Sequence, residues 1–300
     1  MSETTSPEQV VQTYRDVPSP VRIRLPAGAC DSHVHIFGPR DQFPYAPGLR
    51  STPAEAPKEK LFALHQRLGI SRCVIVQSVT HGMDNRVVED AIDAGGGRYL
   101  GVALVPVDVS LAELTRLASR GFRAVRFHFM QHLSGGYQVE EVLRLTPQLA
   151  DVGMHLQVHF ESELVHTVGQ ALRQSAVPVV IDHMGRVDAT LGADHADFQA
   201  LMRLLDAPRM HVKVSGVDRI EASARAGSGY PQGVELAREL VQNFPDRCVW
   251  GLDWPHPNHT HVPDDGELVN ALARIAPTTE LLERLLMHNP QALYRFPAAT

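Results

Sequence analysis

The sequence predicts an α/β protein folded as a single (β/α)8 TIM-like barrel. Three observations lead there. From Ala29 onward, eight short β-branched runs alternate with amphipathic helical patterns, and such alternation builds parallel βαβ units. The 300-residue chain has room for eight such units, which typically take ~250 residues. No Gly-x-Gly-x-x-Gly or P-loop pattern follows any of the runs, so the rival doubly wound sheet lacks its nucleotide-binding turn.

The predicted strands cover 29–37, 72–78, 99–105, 122–129, 154–160, 177–183, 210–215 and 247–253. Helical spacing covers 58–69, 110–121, 139–152, 163–174, 194–206, 233–243, 266–275 and 279–287. In the second of these, Leu111, Leu114, Leu117 and Ala118 recur at 3/4 spacing behind a Ser110 cap and ahead of Gly121. Residues 1–28 are proline-rich and polar and read as an N-terminal arm on the outside, and 29–300 read as the barrel domain. The proline-rich stretch 37–59 is a long loop after the first strand, on the face where barrel enzymes place their chemistry.

Composition narrows the function. A hydrophobic fraction of 44% with only 6% aromatics leaves the core to Val, Leu, Ile and Ala. A net charge of −6 without any basic run argues against nucleic acid as a partner. The N-terminal segment lacks the basic and apolar regions of a secretory signal, and no apolar stretch reaches the ~20 residues of a membrane span. Cys30, Cys73 and Cys248 are widely spaced in apolar runs and read as reduced thiols. The expected location is the cytoplasm, away from membranes.

The chemistry gathers where strands end. His33 and His35, two apart on one strand, share a face. Later strand ends carry Arg126 and His128, then His159, then Asp182 and His183, and last Asp253 ahead of Trp254-Pro255-His256. A barrel brings these ends around one mouth, and three or four N/O ligands with an open position suit a catalytic divalent ion. His65, His128, His155, His166, His195 and His211 read as packing or surface residues. His259, His261, Asp264 and Asp265 read as a solvated loop in preference to a second metal cluster.

The runs DSHVHIFGP, IVQSVTHGMDN, VVIDHMGR, VWGLDWPHPN and HNPQALYRF together resemble the amidohydrolase superfamily, in the lactonase branch of the pyrone-dicarboxylate and sulfomuconolactone hydrolases. The resemblance runs collinearly from Pro26 to Phe296. It implies an amidohydrolase-type barrel that hydrolyses a small cyclic ester, with Asp253 as the base that activates water and His33, His35 and His183 lining the carbonyl site. It places Arg126, Arg186, Arg219 and His256 on the substrate's acidic groups, as bidentate guanidinium chemistry would suit. The chain departs from the pyrone-dicarboxylate pattern at Ser51, Val79, His132 and His159, which stand where that branch has tyrosine, serine, arginine and tyrosine. His159 completes the metal-binding pattern of metal-dependent relatives.

The expected function is therefore metal-assisted opening of a small anionic lactone, of the 4-sulfomuconolactone or pyrone-carboxylate type, in aromatic catabolism. The expected cofactor is one divalent ion, Zn²⁺, on His33, His35, His159 and Asp253. The alternatives are a metal-dependent decarboxylase of the same superfamily and a metal-free pyrone-dicarboxylate lactonase. Oligomeric state is not legible.

Overall fold

The β-branched runs form eight parallel strands that succeed one another around a barrel. The computed structural model describes residues 10–49, 51–129, 137–221, 223–225, 227–259 and 261–297, so His132 lies outside the described residues. The strands are β1 (Cys30–Val34), β2 (Arg72–Val76), β3 (Tyr99–Leu104), β4 (Phe122–Phe129), β5 (His155–Phe160), β6 (Val179–Ile181), β7 (Met210–Lys213) and β8 (Cys248–Val249). Each pairs in parallel with the next. Beyond β8 the ring closes on β1 through Ser32 N to Trp250 O at 2.8 Å and Asp253 N to His33 O at 2.7 Å.

Helices cover the outside because one face of each is apolar. In Leu111–Ser119, Ser110 caps the Glu113 amide and Leu114 and Leu117 are buried against the sheet. Helix Lys58–Leu68 ends at Gly69, whose φ of +77° suits a residue without a Cβ. The helix Arg86–Ala94 is absent from the sequence prediction. Its Asn85 does not cap it; the Asn85 amide instead bonds both backbone groups of Leu104. Burial of Val87, Val88 and Ala91 holds this helix in place. The predicted 163–174 helix is broken into a 3-10 segment, Ser162–His166, and a short α-helix, Val168–Leu172.

Inside the barrel, Cys30, Val74, Val76, Leu100, Val102 and Ala124 form a small apolar layer, which Tyr294 and Phe296 from the C-terminal end close off. This plug makes the barrel a packed core. The 1–28 arm divides: Val11 and Thr13 reach the barrel mouth, while residues 19–22 run outside along the helix that Asp264 caps. Val10–Val11 pairs in parallel with Thr52–Pro53. Tyr14 is buried, its hydroxyl donates to Glu55 O, and its ring packs against Trp254. Among the described residues, no helix is long and apolar enough to cross a membrane.

Candidate active site

Strand alternation stacks two polar layers above the apolar one. The lower layer holds Arg126 on β4, Gln157 on β5, Lys213 on β7 and Asp182 just past β6. Asp182 is its centre: Arg126 Nε donates to Oδ2 at 2.7 Å, Gln157 Nε2 donates to the same oxygen at 3.0 Å, and Lys213 Nζ lies 3.6 Å from Oδ1. Burial opposes ionisation of Asp182, but Arg126, His33 and Lys213 outweigh it and hold the carboxyl well below its usual range. Burial brings Lys213 down to about 8, against the pull of Asp182. Lys213 also donates to Ser32 O at 2.9 Å and Gln157 Oε1 at 2.8 Å. Sequence reasoning missed Lys213 and Gln157, which become visible only once barrel closure brings β1, β5 and β7 together.

One layer up, three imidazoles converge on Asp253. Its Oδ1 lies 3.4 Å from His35 Nε2, 3.6 Å from His33 Nε2 and 3.7 Å from His183 Nε2. Local backbone geometry makes this possible. His183, Met184, Gly185 and Arg186 all lie in the left-handed region, at φ +49°, +52°, +63° and +57°, and Asp253 is at +68°. Non-glycine residues pay about 1–2 kcal/mol for that conformation, and such strain gathers at functional sites. Burial keeps His33 and His183 neutral, with His33 near 3 and His183 well below 6.5. Burial also opposes the Asp253 charge, but Arg219 and His183 hold its carboxyl well below the usual range.

The far side of each ring shows which nitrogen is free. His35 Nδ1 donates to Val76 O at 2.8 Å, which turns its Nε2 toward Asp253 Oδ1 at 3.4 Å. His183 Nδ1 meets the Ser215 hydroxyl at 2.9 Å, and His33 Nδ1 lies between Lys213 Nζ at 3.2 Å and Asp182 Oδ1 at 3.3 Å. His33 Nε2 is buried without a hydrogen-bond partner. Neutral nitrogen lone pairs and a carboxylate aimed at one another repel unless a cation sits among them. His33, His183 and Asp253 offer ligand atoms all within 4.8 Å of one another, and His35 stands beside them. This donor set fits a divalent ion. His159, expected from the sequence in this donor set, packs against His183 with ring centroids 5.3 Å apart; like His35 it is not one of the three residues that lie within 4.8 Å of one another.

The predicted anion readers divide. Arg126 is spent on Asp182, although it still lines the cavity. Arg219 Nη2 donates to Asp253 Oδ2 at 2.5 Å and to Pro257 O at 3.0 Å, and sits 2.8 Å from His259 Nδ1. Arg186 makes no hydrogen bond or ion pair with the described residues, and burial brings it down to about 10. His256, expected on the substrate's acidic groups, is fully buried and bonded through Nε2 to Asp265 at 3.0 Å; like Arg186 it is not among the cavity's lining residues. The loop around it is no solvated segment either. His259 Nε2 bonds Asp218 at 2.7 Å, Asp264 caps Asp265–Ile275, and both aspartates at 264 and 265 are buried.

These groups line a cavity of about 690 Å³ at the mouth, with His35, His128, His159, His183, Arg219 and Asp253 on its floor and walls. Val11 and Thr13 of the arm, Ser51 and Val79 complete the rim. His128, read from sequence as packing, is buried beside His159 with neither ring nitrogen partnered. Its strand-end position opposite His159 was the available signal.

Comparison with known proteins follows this geometry. Over 284 residues the chain is 40% identical to 2-pyrone-4,6-dicarboxylate hydrolase of Comamonas testosteroni, covering 92% of this chain and 93% of that one. It is 38% identical to 4-sulfomuconolactone hydrolase of Hydrogenophaga intermedia, covering 92% and 91%. A Pseudomonas putida crystal structure, provisionally named 2-pyrone-4,6-dicarboxylic acid hydrolase, superposes with a TM-score of 0.78 at 28% identity, covering 92% of this chain and all of that one. The amidohydrolase family model matches residues 30–296, and the chain belongs to that family.

Proposed function

We propose that the protein is a lactonase, a carboxylic-ester hydrolase that opens a small anionic lactone of the kind its relatives' names describe. The observation that carries this is the ionised Asp253, ringed by three imidazoles inside a mouth cavity that also holds guanidinium groups. Asp253 accepts a proton as water adds to the lactone carbonyl carbon, and the ring C–O bond then breaks to leave a hydroxy acid. His183 and His33, kept neutral by burial, flank the base and orient the water. Arg186 forms no ion pair with the described residues and lies near Arg219 and Asp253, behind the cavity's lining residues, and is the guanidinium left to offer its charge to the substrate's acidic group.

A divalent ion, with Zn²⁺ the best chemical match, would be held by His33, His35, His183 and Asp253. When bound it supplies Lewis-acid polarisation and lowers the pKa of coordinated water. A metal-free reading has one observation in its favour: Arg219 already occupies Asp253 Oδ2. The three free, buried cysteines support a reducing, cytoplasmic setting.

A panel of anionic lactones assayed by proton release tests the reading, with CO₂ evolution from aromatic acids measured in parallel. Ring opening without CO₂ is expected. CO₂ release without ring opening would assign the decarboxylase chemistry instead.

A further inference from the structure

His159, on the cavity floor, has a far nitrogen that faces a group that can only donate. Its Nδ1 lies 3.3 Å from Arg126 Nη2. A guanidinium has five N–H donors and no acceptor, so Nδ1 must present its lone pair to it. Arg126 cannot turn away, because its Nε is held by Asp182, which Gln157 also grips. In a neutral imidazole the proton then resides on Nε2. That atom is buried, has no hydrogen-bond partner and belongs to a residue of the cavity wall. The contrast is clearest with His35, whose Nδ1 faces the Val76 carbonyl; His183 Nδ1 meets a hydroxyl, and His33 Nδ1 lies between Asp182 Oδ1 and Lys213 Nζ.

We infer that His159 is a fixed hydrogen-bond donor to the acyl oxygen of the bound lactone, and not a metal ligand, with Asp182 and Arg126 as the positioning residues that set its tautomer. The inference rests on the lactonase reading for the identity of the acceptor, but not for the tautomer or the exclusion from the metal. His159 keeps its proton throughout; its Nε2–H shortens toward an oxygen that gains negative charge as water adds, so it stabilises the transition state more than the bound substrate. Placement agrees with this: His159 packs against His183 with ring centroids 5.3 Å apart, and His183 Nε2 lies 3.7 Å from Asp253 Oδ1, so all three border the same part of the cavity.

Three readouts test it, and two do not depend on the substrate. In long-range ¹H–¹⁵N correlation spectra of the metal-free wild type, the His159 signals, assigned by their loss in His159→Gln, should show the proton on Nε2. A proton on Nδ1 would overturn the inference. After equilibration with Zn²⁺ alone, His159→Ala should retain the wild-type metal content and affinity, whereas His183→Ala should lose it. Loss of zinc in His159→Ala with retention in His183→Ala would also overturn it. On the lactone opened by the wild type, His159→Ala should lower kcat by roughly 10²–10³-fold with KM changed far less, and His159→Gln, which keeps an amide donor, should recover part of the loss. An unchanged kcat, or a loss confined to KM, would remove the donor role while leaving the lactonase reading intact.

Discussion

Replacing Arg219 or Arg186 by methionine should separate two guanidiniums that look alike in the sequence. Arg219 is nine-tenths buried and donates to Asp253 Oδ2 from both Nη2, at 2.5 Å, and Nε, at 3.1 Å. Methionine keeps much of the apolar stem but leaves the Asp253 carboxylate buried without its cation. Breaking a buried pair from one side costs about 3–5 kcal/mol, which for a 300-residue chain lowers Tm by roughly 5–8 °C. The Asp253 carboxyl should also rise toward its ordinary range. Because the carboxylate also loses the two hydrogen bonds that fix its orientation, turnover of charged and neutral lactones should fall together, by roughly 10²-fold or more. Arg186→Met removes a cation that forms no ion pair among the described residues and is attracted only at longer range by Asp253 and Glu161. Its Tm should hold or rise slightly, and kcat/KM should fall by roughly 10²-fold for an anionic lactone but little for a neutral one. Thermal unfolding in chelator and paired kcat/KM values check both. An Arg219 variant with unchanged Tm and a loss confined to anionic substrates would refute the reasoning, because Arg219 would then read the substrate and not anchor the base.

Stability should decline with acid from pH 6.5 downward. The unfolded chain binds a proton on each histidine near 6.5, whereas buried His33 resists one until about 3, so between those values the unfolded state binds more protons and falling pH favours it. At pH 4 His33 alone contributes roughly 3 kcal/mol of this loss, and His183 adds to it in the same direction. Chemical denaturation of the metal-free protein at pH 7, 5.5 and 4 measures the slope; a flat profile would mean that these rings are protonated in the fold. Deleting residues 1–14 removes Val11 and Thr13 from the cavity rim and the Tyr14 ring from Trp254, so KM should rise several-fold while the far-UV spectrum of the barrel is kept. An unchanged KM would return the arm to the outside of the molecule.

What the sequence disclosed follows from what is local. Each strand run carries its own β-branched signal, and the eight runs map onto β1–β8 with shifts of a few residues at their ends. His33, His35, His183 and Asp253 were legible because each ends an apolar run with a polar group that needs a partner. The helix Arg86–Ala94 was not, since adjacent valines and an uncapped start weaken its local signal and tertiary burial supplies the rest. The Asp182–Arg126–Lys213–Gln157 layer joins four strands, and which charge neutralises which is set only by barrel closure. For the same reason Arg219 read as free for substrate, when its partner Asp253 lies 34 residues away. His256 and its neighbours read as a loop because histidine and aspartate are polar, yet their mutual pairing lets them be buried.

The most direct measurement is the initial rate of proton release by wild type and Asp253→Asn on one anionic lactone, with binding of that lactone followed separately. An amide keeps the shape of the carboxylate but accepts no proton at neutral pH. The account predicts one proton released per ring opened by the wild type, a fall in kcat of about 10³-fold or more in Asp253→Asn, and lactone binding largely retained. A kcat near the wild-type value in Asp253→Asn would contradict it.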